Sequence, residues 1–476
     1  MIKMVAPQAI VLAGGEDKKL FPLTSAGTAK ALLPVSNKAL VSYPLKSLHK
    51  AGLKHAIVVV AGERAAASVQ AWVYHEYAEK EMSCEVVCVP EEYGTADALR
   101  TVAPRVTTPS CVVVSGDLIT DIQIDLLVAT HQLSSALVTM ALFKRKVSPS
   151  SESKPGKAPK NVDYIGLDPH QEHLLFYASS PEALRDLKVP LSVVKRHGSI
   201  TVASDLTNAQ LYVMNRSVLD LLVAQPQLTS LRKDVLPYLA LNQRRLRLSL
   251  GQKKGSPGAA AQRESHAASA DGGGEEDTSS PDQEDDSTVL HTSNLPGADY
   301  MEWSHTPASE VQQGACLRVN IVQPGSNYCA RALDAMSYGE VNRETADSSV
   351  ALHLTGHSTS AQHDNVVPHS TSIGSKASVA SGCVLGDGCV LGDKASIKRS
   401  VLGRGCRLGV STKVINSVLQ DGIVIGDGCT IQNSIISSDV QIKEKAQLKD
   451  CQVGKGYIVS GDQEYSGEVL AKTPKP

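Results

Sequence analysis

Short apolar runs alternate with amphipathic segments over the first half of the chain. The runs predict buried strands, and the segments between them, whose apolar residues recur every three or four positions, predict helices. The expected strands cover 9–12, 55–60, 85–89 and 111–114, and the expected helices cover 41–51, 64–77 and 96–102. Strands that alternate with helices form a mostly parallel sheet covered on both faces. The pattern predicts an α/β Rossmann-like domain.

A six-residue apolar repeat marks residues 366–453. Large aliphatic residues recur every six positions from Val367 to Ile397, and the phase then slips by one residue at intervals. The slips give a larger period of 17, which joins Leu385, Leu402, Leu419, Ile436 and Val453. A six-residue period is typical of a β-helix whose coils have three short faces. We expect a left-handed parallel β-helix of hexapeptide repeats.

Small residues stand two positions before most of the large ones, and glycines follow several of them. Five of the ten cysteines take the small position and are expected to be packing residues: Cys383, Cys389, Cys406, Cys429 and Cys451. The chain has no C-x-x-C pair, so we do not expect zinc. The large residue is followed by glycine at Gly386, Gly392, Gly403, Gly409 and Gly426. We expect these glycines at tight corners that need their backbone freedom.

The segment between the two patterned regions is rich in Gly, Ser, Ala, Asp and Glu, most of all over residues 251–290. Such a composition buries too little apolar surface to offset the entropy of ordering the chain. We expect an acidic disordered linker that serves as a spacer or as a docking segment. The predicted domains are 1–248 (α/β), 249–310 (acidic linker), 311–362 (connecting segment), 363–465 (β-helix) and 466–476 (tail).

Charge and hydropathy narrow the function classes. Lys and Arg number 47 against 49 Asp and Glu, and the net charge of −2 argues against DNA binding through a broad basic field. The first thirteen residues lack a signal-peptide pattern, and no apolar stretch is long enough to span a bilayer. We expect a soluble cytosolic protein with no membrane contact.

A glycine pair follows the first predicted strand, in the stretch Leu-Ala-Gly-Gly-Glu-Asp-Lys-Lys-Leu-Phe-Pro-Leu-Thr over residues 12–24. Backbone amides in such a loop approach phosphate closely, because glycine has no side chain in the way. Two of the lysines that follow would help to neutralise a triphosphate. The candidate residues for phosphate contact are Gly14, Gly15, Lys19 and Lys30.

This stretch, with the later Leu-Leu-Pro-Val, resembles the sugar-phosphate nucleotidyltransferases, whose loop reads roughly Gly-Gly-x-Gly-Thr-Arg-Leu and is followed by Pro-Lys. The chain departs from that pattern at Asp17, Lys18, Lys19, Ala29 and, in a later strand, Gln210. A carboxylate would repel phosphate where the family has glycine, and lysine cannot supply the two-pronged contact of arginine. We expect a nucleotidyltransferase-type fold with no catalytic residues.

The resemblance also gives Asp117 a meaning, because the active family holds Mg²⁺ on an aspartate at the end of a strand. Asp117 closes the segment Ser-Gly-Asp after the strand predicted at 111–114. Since no second carboxylate partner is visible, it is either a relic nucleotide-binding residue or a structural aspartate of the loop. We expect neither a metal nor a cofactor.

Several further segments resemble the gamma subunits of eukaryotic translation initiation factor 2B, a guanine nucleotide exchange factor. They are residues 94–97, 117–121, 229–239 and 338–343. The epsilon subunits of that factor carry a further helical domain after the β-helix, whereas this sequence reaches Pro476, so gamma is expected. The resemblance implies a non-catalytic or regulatory subunit in the cytosol. Its implied partners are an epsilon-like subunit and the other subunits of the factor, with the GTP-binding initiation factor 2 as substrate.

Three other functions stay open from the sequence. The chain could be an active sugar-1-phosphate nucleotidyltransferase such as a GDP-mannose pyrophosphorylase. It could bind nucleotides without turning them over, since the glycine pair and Lys30 are present. A β-helix acyltransferase is less favoured, because the repeat region offers a single histidine, His369, at its start.

Overall fold

The architecture was obtained as a computed structural model. The structure describes residues 6–15, 17–24, 27–77, 82–144, 162–179, 189, 191–243, 316–322, 327–358 and 364–472. The predicted acidic linker at 249–310 lies outside these residues. None of the helices in the described parts is both long and apolar enough to cross a membrane.

Fourteen strands precede the repeat region. They are β1 Gln8–Leu12, β2 Pro34–Val35, β3 Lys38–Ala39, β4 His55–Ala61, β5 Ser83–Val89, β6 Ser110–Ser115, β7 Leu118–Thr120, β8 Val138–Lys144, β9 Asp163–Leu167, β10 Leu174–Ser179, β11 Thr201–Ala203, β12 Leu206–Asn215, β13 Leu317–Val322 and β14 Cys329–Arg331. The four predicted strands correspond to β1, β4, β5 and β6, with ends that differ by at most two residues.

Helices lie between and after these strands. They are α1 Ser42–Lys50, α2 Glu63–His75, α3 Thr95–Val102, α4 Ile124–Ser134, α5 Leu191–His197, α6 Arg216–Ala224, α7 over residues 236–243, α8 Ala335–Ala346 and α9 Leu352–Thr355. Short 3₁₀ turns lie at Asp17–Leu20, Lys30–Leu32 and Ala103–Arg105, and a π-helical turn lies at Leu231–Val235. The predicted helices correspond to α1, α2 and α3.

The central sheet has seven strands in the order β13-β8-β12-β6-β1-β4-β5, and only β12 runs antiparallel to its neighbours. Successive residues of a strand point to opposite faces. Ile10 and Leu12 of β1 pack in one apolar cluster with α3 and α6, whereas Ala9 and Val11 pack in a second cluster with α1 and α4. The predicted mostly parallel sheet with two covered faces is confirmed.

The sheet also takes in a strand from beyond the long insertion. Leu317–Val322 runs parallel to β8 at the edge of the sheet, with Leu317 opposite Val138. Nearby, β14 pairs with β7, so that Cys329 faces Thr120. Residues within the predicted connecting segment therefore complete the α/β domain, although the domain boundaries as a whole stay a prediction.

The repeat region forms eighteen short strands: β15 Ser372–Ile373, β16 Ser378–Val379, β17 Val384–Leu385, β18 Val390–Leu391, β19 Ser396–Lys398, β20 Val401–Leu402, β21 Arg407–Leu408, β22 Lys413–Ile415, β23 Val418–Leu419, β24 Val424–Ile425, β25 Thr430–Gln432, β26 Ile435–Ile436, β27 Gln441–Ile442, β28 Gln447–Lys449, β29 Gln452–Val453, β30 Ile458–Val459, β31 Glu464–Ser466 and β32 Val469–Leu470. They stack into three parallel six-stranded sheets, the faces of a β-helix.

The stacking follows the predicted register. Leu385 lies opposite Leu402, and that column continues through Leu419, Ile436 and Val453. The five cysteines of the repeat are buried in the interior cluster with these residues. The predicted β-helix and the packing role of its cysteines are confirmed.

The prediction that the five glycines after large residues need glycine's backbone freedom is wrong. None of the five that follow a large residue has a positive φ; glycines at other turn positions, such as Gly388 and Gly405, do. A Cβ at Gly386 would instead lie 2.6 Å from the backbone nitrogen of Arg404, and a Cβ at Gly403 would lie 2.5 Å from that of Asp421. These positions need glycine because the next coil passes too close for any side chain.

One face of the β-helix is apolar on its outside as well. Val384, Val401, Val418 and Ile435 occupy the outward position of successive strands and are buried. They join two clusters that also contain residues of α8 and α9. The α/β domain and this face of the β-helix are therefore continuous through buried apolar contacts.

Candidate functional site

Asp117 lies just past the carboxyl end of β6, where a parallel sheet places its functional groups. The loop that carries it is tight: the Gly116 amide donates to the Leu12 carbonyl at 2.8 Å, and a Cβ at Gly116 would lie 2.8 Å from Cα of Ala13. Only glycine allows the two loops after β1 and β6 to pass this closely. The Asp117 side chain is therefore held beside the Gly14–Gly15 loop.

Two cations and a hydroxyl surround the Asp117 carboxylate. Oδ2 accepts from Lys30 Nζ at 2.6 Å and from Nη2 of Arg331 at 3.1 Å. Oδ1 accepts from Nε of Arg331 at 2.8 Å and from Ser115 Oγ at 2.7 Å. Arg331 thus binds the carboxylate through both arms of its guanidinium, and Lys30 closes the remaining side. We call Lys30, Asp117 and Arg331 the ion triad.

The ion triad is largely excluded from solvent, because the side chains of Asp117, Arg331 and Lys30 are only 3%, 10% and 13% exposed. Burial alone would raise the pKa of Asp117, because it disfavours the charged form. The positive charges of Arg331 and Lys30, with their hydrogen bonds, outweigh that effect and hold the pKa well below its ordinary value. Asp117 is therefore an ionised, fully paired carboxylate.

The other residues predicted to contact phosphate are Gly14, Gly15 and Lys19, and they differ in how close they lie to the ion triad. Gly14 and Gly15 are exposed, and an added Cβ at Gly15, whose φ is +143°, would lie 4.0 Å from Lys30 Nζ. Lys19 is also exposed and is not among the described donors to the Asp117 carboxylate, which are Lys30, Ser115 and Arg331. The structure brings together Gly15, Lys30 and Asp117, and the relic nucleotide-binding role of the set stays a prediction.

The Mg²⁺ ion that the nucleotidyltransferase fold implies does not fit this arrangement. A carboxylate offers about four lone-pair positions, and Asp117 already accepts four hydrogen bonds. Mg²⁺ also needs oxygen ligands in near-octahedral geometry, yet within the described ranges no three acidic, His or Cys side chains converge to hold a metal. A cation could bind Asp117 only by displacing Arg331 or Lys30.

Asp97, in the segment 94–97 that resembles the gamma subunits, has structural partners. Its Oδ2 accepts from the Gly94 amide at 3.0 Å, which caps α3, and its Oδ1 pairs with Arg100. The Arg100 guanidinium in turn donates to the carbonyls of Leu222 at 2.7 Å and Leu228 at 2.9 Å. Asp97 therefore orients an arginine that joins α3 to the end of α6.

Gln210, which departs from the nucleotidyltransferase pattern, lies in β12. The pairing of β12 with β8 is interrupted there, between Asn208 and Tyr212. Its φ is +54°, a left-handed conformation that glycine adopts more readily, and its amide donates to Asn208 Oδ1 at 2.8 Å. The strand thus keeps the backbone shape expected of the family while carrying a side chain.

Arg331 is the residue that the sequence analysis missed. It ends β14, and its backbone neighbour Ala332 donates to the Asp117 carbonyl at 3.2 Å. Arginine at this point of the chain has no motif around it that predicts contact with β6. The available signal was physical: a buried carboxylate without a second acid or metal needs a cation.

Family models match both halves of the chain. Residues 8–153 match the model "Nucleotidyl transferase", and residues 357–464 match "EIF2B subunit epsilon LbH domain", where LbH stands for left-handed β-helix. The first match includes β1, β6 and the Asp117 loop, and the second covers nearly all coils of the β-helix. The predicted fold class is confirmed in both parts.

Curated relatives of this chain include subunits of eIF2B. The eIF2B gamma subunit of Schizosaccharomyces pombe is 31% identical over 238 residues, which is 49% of this chain and 50% of the relative. The gamma subunit of Dictyostelium discoideum is 24% identical over 49% of this chain and 56% of its own length. The epsilon subunit of S. pombe is 23% identical over 48% of this chain and 34% of its length.

The chain spans about half the length of the gamma subunits that it matches. The resemblance stated from its motifs is confirmed by these relatives and by the two domain models. The chain therefore combines a nucleotidyltransferase-type domain with a left-handed β-helix of the eIF2B type, and it is similar to the gamma subunits of that translation initiation factor.

Proposed function

We propose that this protein is a non-catalytic subunit of an eIF2B-type guanine nucleotide exchange complex in the cytosol. The complex would promote GDP release from the GTP-binding initiation factor 2, its substrate. Support comes from relatives that are gamma and epsilon subunits of eIF2B and from the paired domain types. The chain's own share is to bind other subunits and stabilise them.

The observation that carries the non-catalytic part is the ion triad. Nucleotidyl transfer in this fold uses a carboxylate-bound metal to polarise phosphate. Here the carboxylate is held by Lys30 at 2.6 Å and by both arms of Arg331. Its charge is neutralised from within the chain, so the centre cannot serve a metal-bound triphosphate without breaking a buried ion pair.

The proposed partners are an epsilon-like subunit and the other subunits of the factor. An epsilon subunit is itself a relative of this chain over a similar share of the sequence. A two-fold interface pairs the same surface patch of two subunits, and a related chain with the same domain plan can offer a similar patch. The β-helix and the α/β domain, continuous through apolar contacts, offer a rigid body for such an assembly.

Affinity purification from its native cells tests the assembly. We expect the chain to recover with an epsilon-like subunit and further eIF2B subunits, and the purified complex to accelerate release of labelled GDP from initiation factor 2. Removal of this chain should lower the complex's yield or its exchange rate. Recovery of the chain alone, under conditions that keep eIF2B intact, would contradict the proposal.

The match to the nucleotidyl transferase model favours one second candidate, an active sugar-1-phosphate nucleotidyltransferase. Pure protein is incubated with GTP, mannose 1-phosphate and Mg²⁺, and pyrophosphate release is measured. We expect none above background for the wild-type chain. Release that is robust and is lost in Asp117→Asn would overturn the non-catalytic proposal, because it would assign Asp117 to the reaction.

A further inference from the structure

Two segments of the α/β domain contact the β-helix, and each follows a cation that binds the Asp117 side chain. One is the hairpin of β2 and β3, residues 34–39, and the other is α8, residues 335–346. We call these two segments the β-helix seat. Lys30 and Arg331, the two cations of the ion triad, each precede their seat segment by four residues.

The segment from Lys30 reaches the β-helix directly. Lys30 opens the 3₁₀ turn whose Ala31 carbonyl accepts from the Val41 amide at 2.9 Å, which fixes the base of the hairpin. At the tip, Asn37 Nδ2 donates to the Leu402 carbonyl of β20 at 2.9 Å. A short run of chain therefore joins the Asp117 carboxylate to a strand of the β-helix.

The segment from Arg331 reaches the same face one and two coils further on. Tyr338 of α8 receives a hydrogen bond from Gln420 Nε2 at 3.2 Å, just past β23. Gly339 lies against β26, since a Cβ there would be 2.9 Å from Cδ1 of Ile435. Arg331 thus leads into the helix that covers the outward valine and isoleucine residues.

The two seat segments also bind each other. The Tyr338 hydroxyl donates to the Pro34 carbonyl. The Ser36 amide donates to Asn342 Oδ1 at 3.0 Å, and the hydroxyls of Ser36 and Thr345 lie 2.8 Å apart. The segments are therefore joined at both ends: through Asp117 where they start and through these buried hydrogen bonds where they meet the β-helix.

We propose that the ion triad does not serve as a metal site. It anchors the β-helix seat to the loops that follow β1 and β6. Asp117 holds the starting points of both segments, and its loss would leave two buried cations without their counter-charge. Such unpaired buried charges destabilise strongly, and the effect concentrates on the elements that carry them. The seat and the β-helix face on it would then open more often, while the far edge of the sheet would not.

Hydrogen exchange of the full-length chain, followed by mass spectrometry, tests this anchor. In Asp117→Asn we expect exchange to accelerate roughly tenfold or more in peptides that cover 34–39, 335–346 and 401–420. Peptides of β4 and β5, at the far edge of the sheet, should exchange as in the wild type. Acceleration limited to the loop of Asp117 would overturn the proposal.

A second buried ion pair in the same domain supplies the matched control. Asp163 of β9 is 2% exposed at its side chain and accepts from Arg232 of the turn at Leu231–Val235 at 2.9 and 2.6 Å, so neither residue belongs to a seat segment. Asp163→Asn should accelerate exchange around β9 and the turn at Leu231–Val235 and leave the seat unchanged. Equal acceleration of the seat in both variants would show general destabilisation and refute the anchor.

If Asp117→Asn does not fold, Arg331→Lys decides the question. Lysine keeps the charge and loses one arm of the two-pronged contact. We expect folded protein with a smaller acceleration in the same two seat segments. Unchanged exchange there would count against the anchor as firmly as a localised effect in Asp117→Asn.

Discussion

At the residue scale, His131 shows what burial does to a single titratable group. It lies on α4 at 3% exposure, and its Nδ1 is 3.0 Å from Oγ1 of the fully buried Thr139. Burial lowers the pKa of His131 to about 4, because the charged ring would lose its hydration. The native state therefore holds this ring neutral at a pH where the unfolded chain protonates it.

This predicts an acid-sensitive stability. Between about pH 6.5 and pH 4 the unfolded chain binds a proton at His131 that the native state does not, so stability falls as pH falls. The loss should reach roughly 3 kcal/mol across that window. Urea unfolding at several pH values should show a shallower decline for His131→Gln, whereas His75→Gln, at an exposed site, should keep the wild-type decline.

From the sequence, Asp117 could be predicted as a site residue, but the two cations that bind its carboxylate could not. The strand that ends before it and the glycine pair after β1 follow local patterns, and those were predicted. Its partners Lys30 and Arg331 lie 87 and 214 residues away in sequence. No local periodicity reports contacts of that range, because they depend on how β14 folds back beside β7.

At the element scale, the β-helix was the most predictable part of the molecule. Its pattern of small and large interior residues recurs in every coil, so each repeat independently indicates the same strand register. The outward apolar column was missed, although the sequence shows it as apolar doublets such as Val384-Leu385, Val401-Leu402 and Val418-Leu419. These three strands are buried on both sides because α8 and α9 supply the outer cover, whereas the doublet Val424-Ile425 leaves Val424 45% exposed.

The two isoleucines Ile431 and Ile415 test the interior assignment. Ile431 is fully buried in the β-helix, and Ile415 points outward at 36% exposure. We expect Ile431→Ala to lower the free energy of unfolding by about 2–5 kcal/mol, because it leaves a cavity between coils. Ile415→Ala should cost less than about 1 kcal/mol. Equal losses in chemical denaturation would contradict the inside and outside assignment.

At the scale of the whole described chain, one apolar cluster crosses from the α/β domain to the β-helix. It contains Leu33 and Tyr43 of the first, Tyr338 of α8, and Val418 and Ile435 of the second. Folding of either part without the other would expose this surface to water. The two domain types are therefore expected to unfold together.

Differential scanning calorimetry checks that expectation. The wild-type chain should give a single main transition, since the shared cluster couples both parts. Val418→Asp places a carboxylate in the cluster and should separate the transition into two, because an unpaired buried charge breaks that coupling. Val424→Asp, on an outward position that is 45% exposed, should leave one transition. Two transitions in the wild type would refute the coupling.

Residues 17 apart are paired in successive coils, so the length of the β-helix can change only by whole coils. Adding or removing one complete turn past Val453 would move its tip by roughly 4.8 Å, the spacing of neighbouring strands, and leave every surviving side chain facing as before. A single inserted residue inside a strand would instead send interior leucines out into water. The reach of this arm toward a partner is therefore adjustable only in discrete steps.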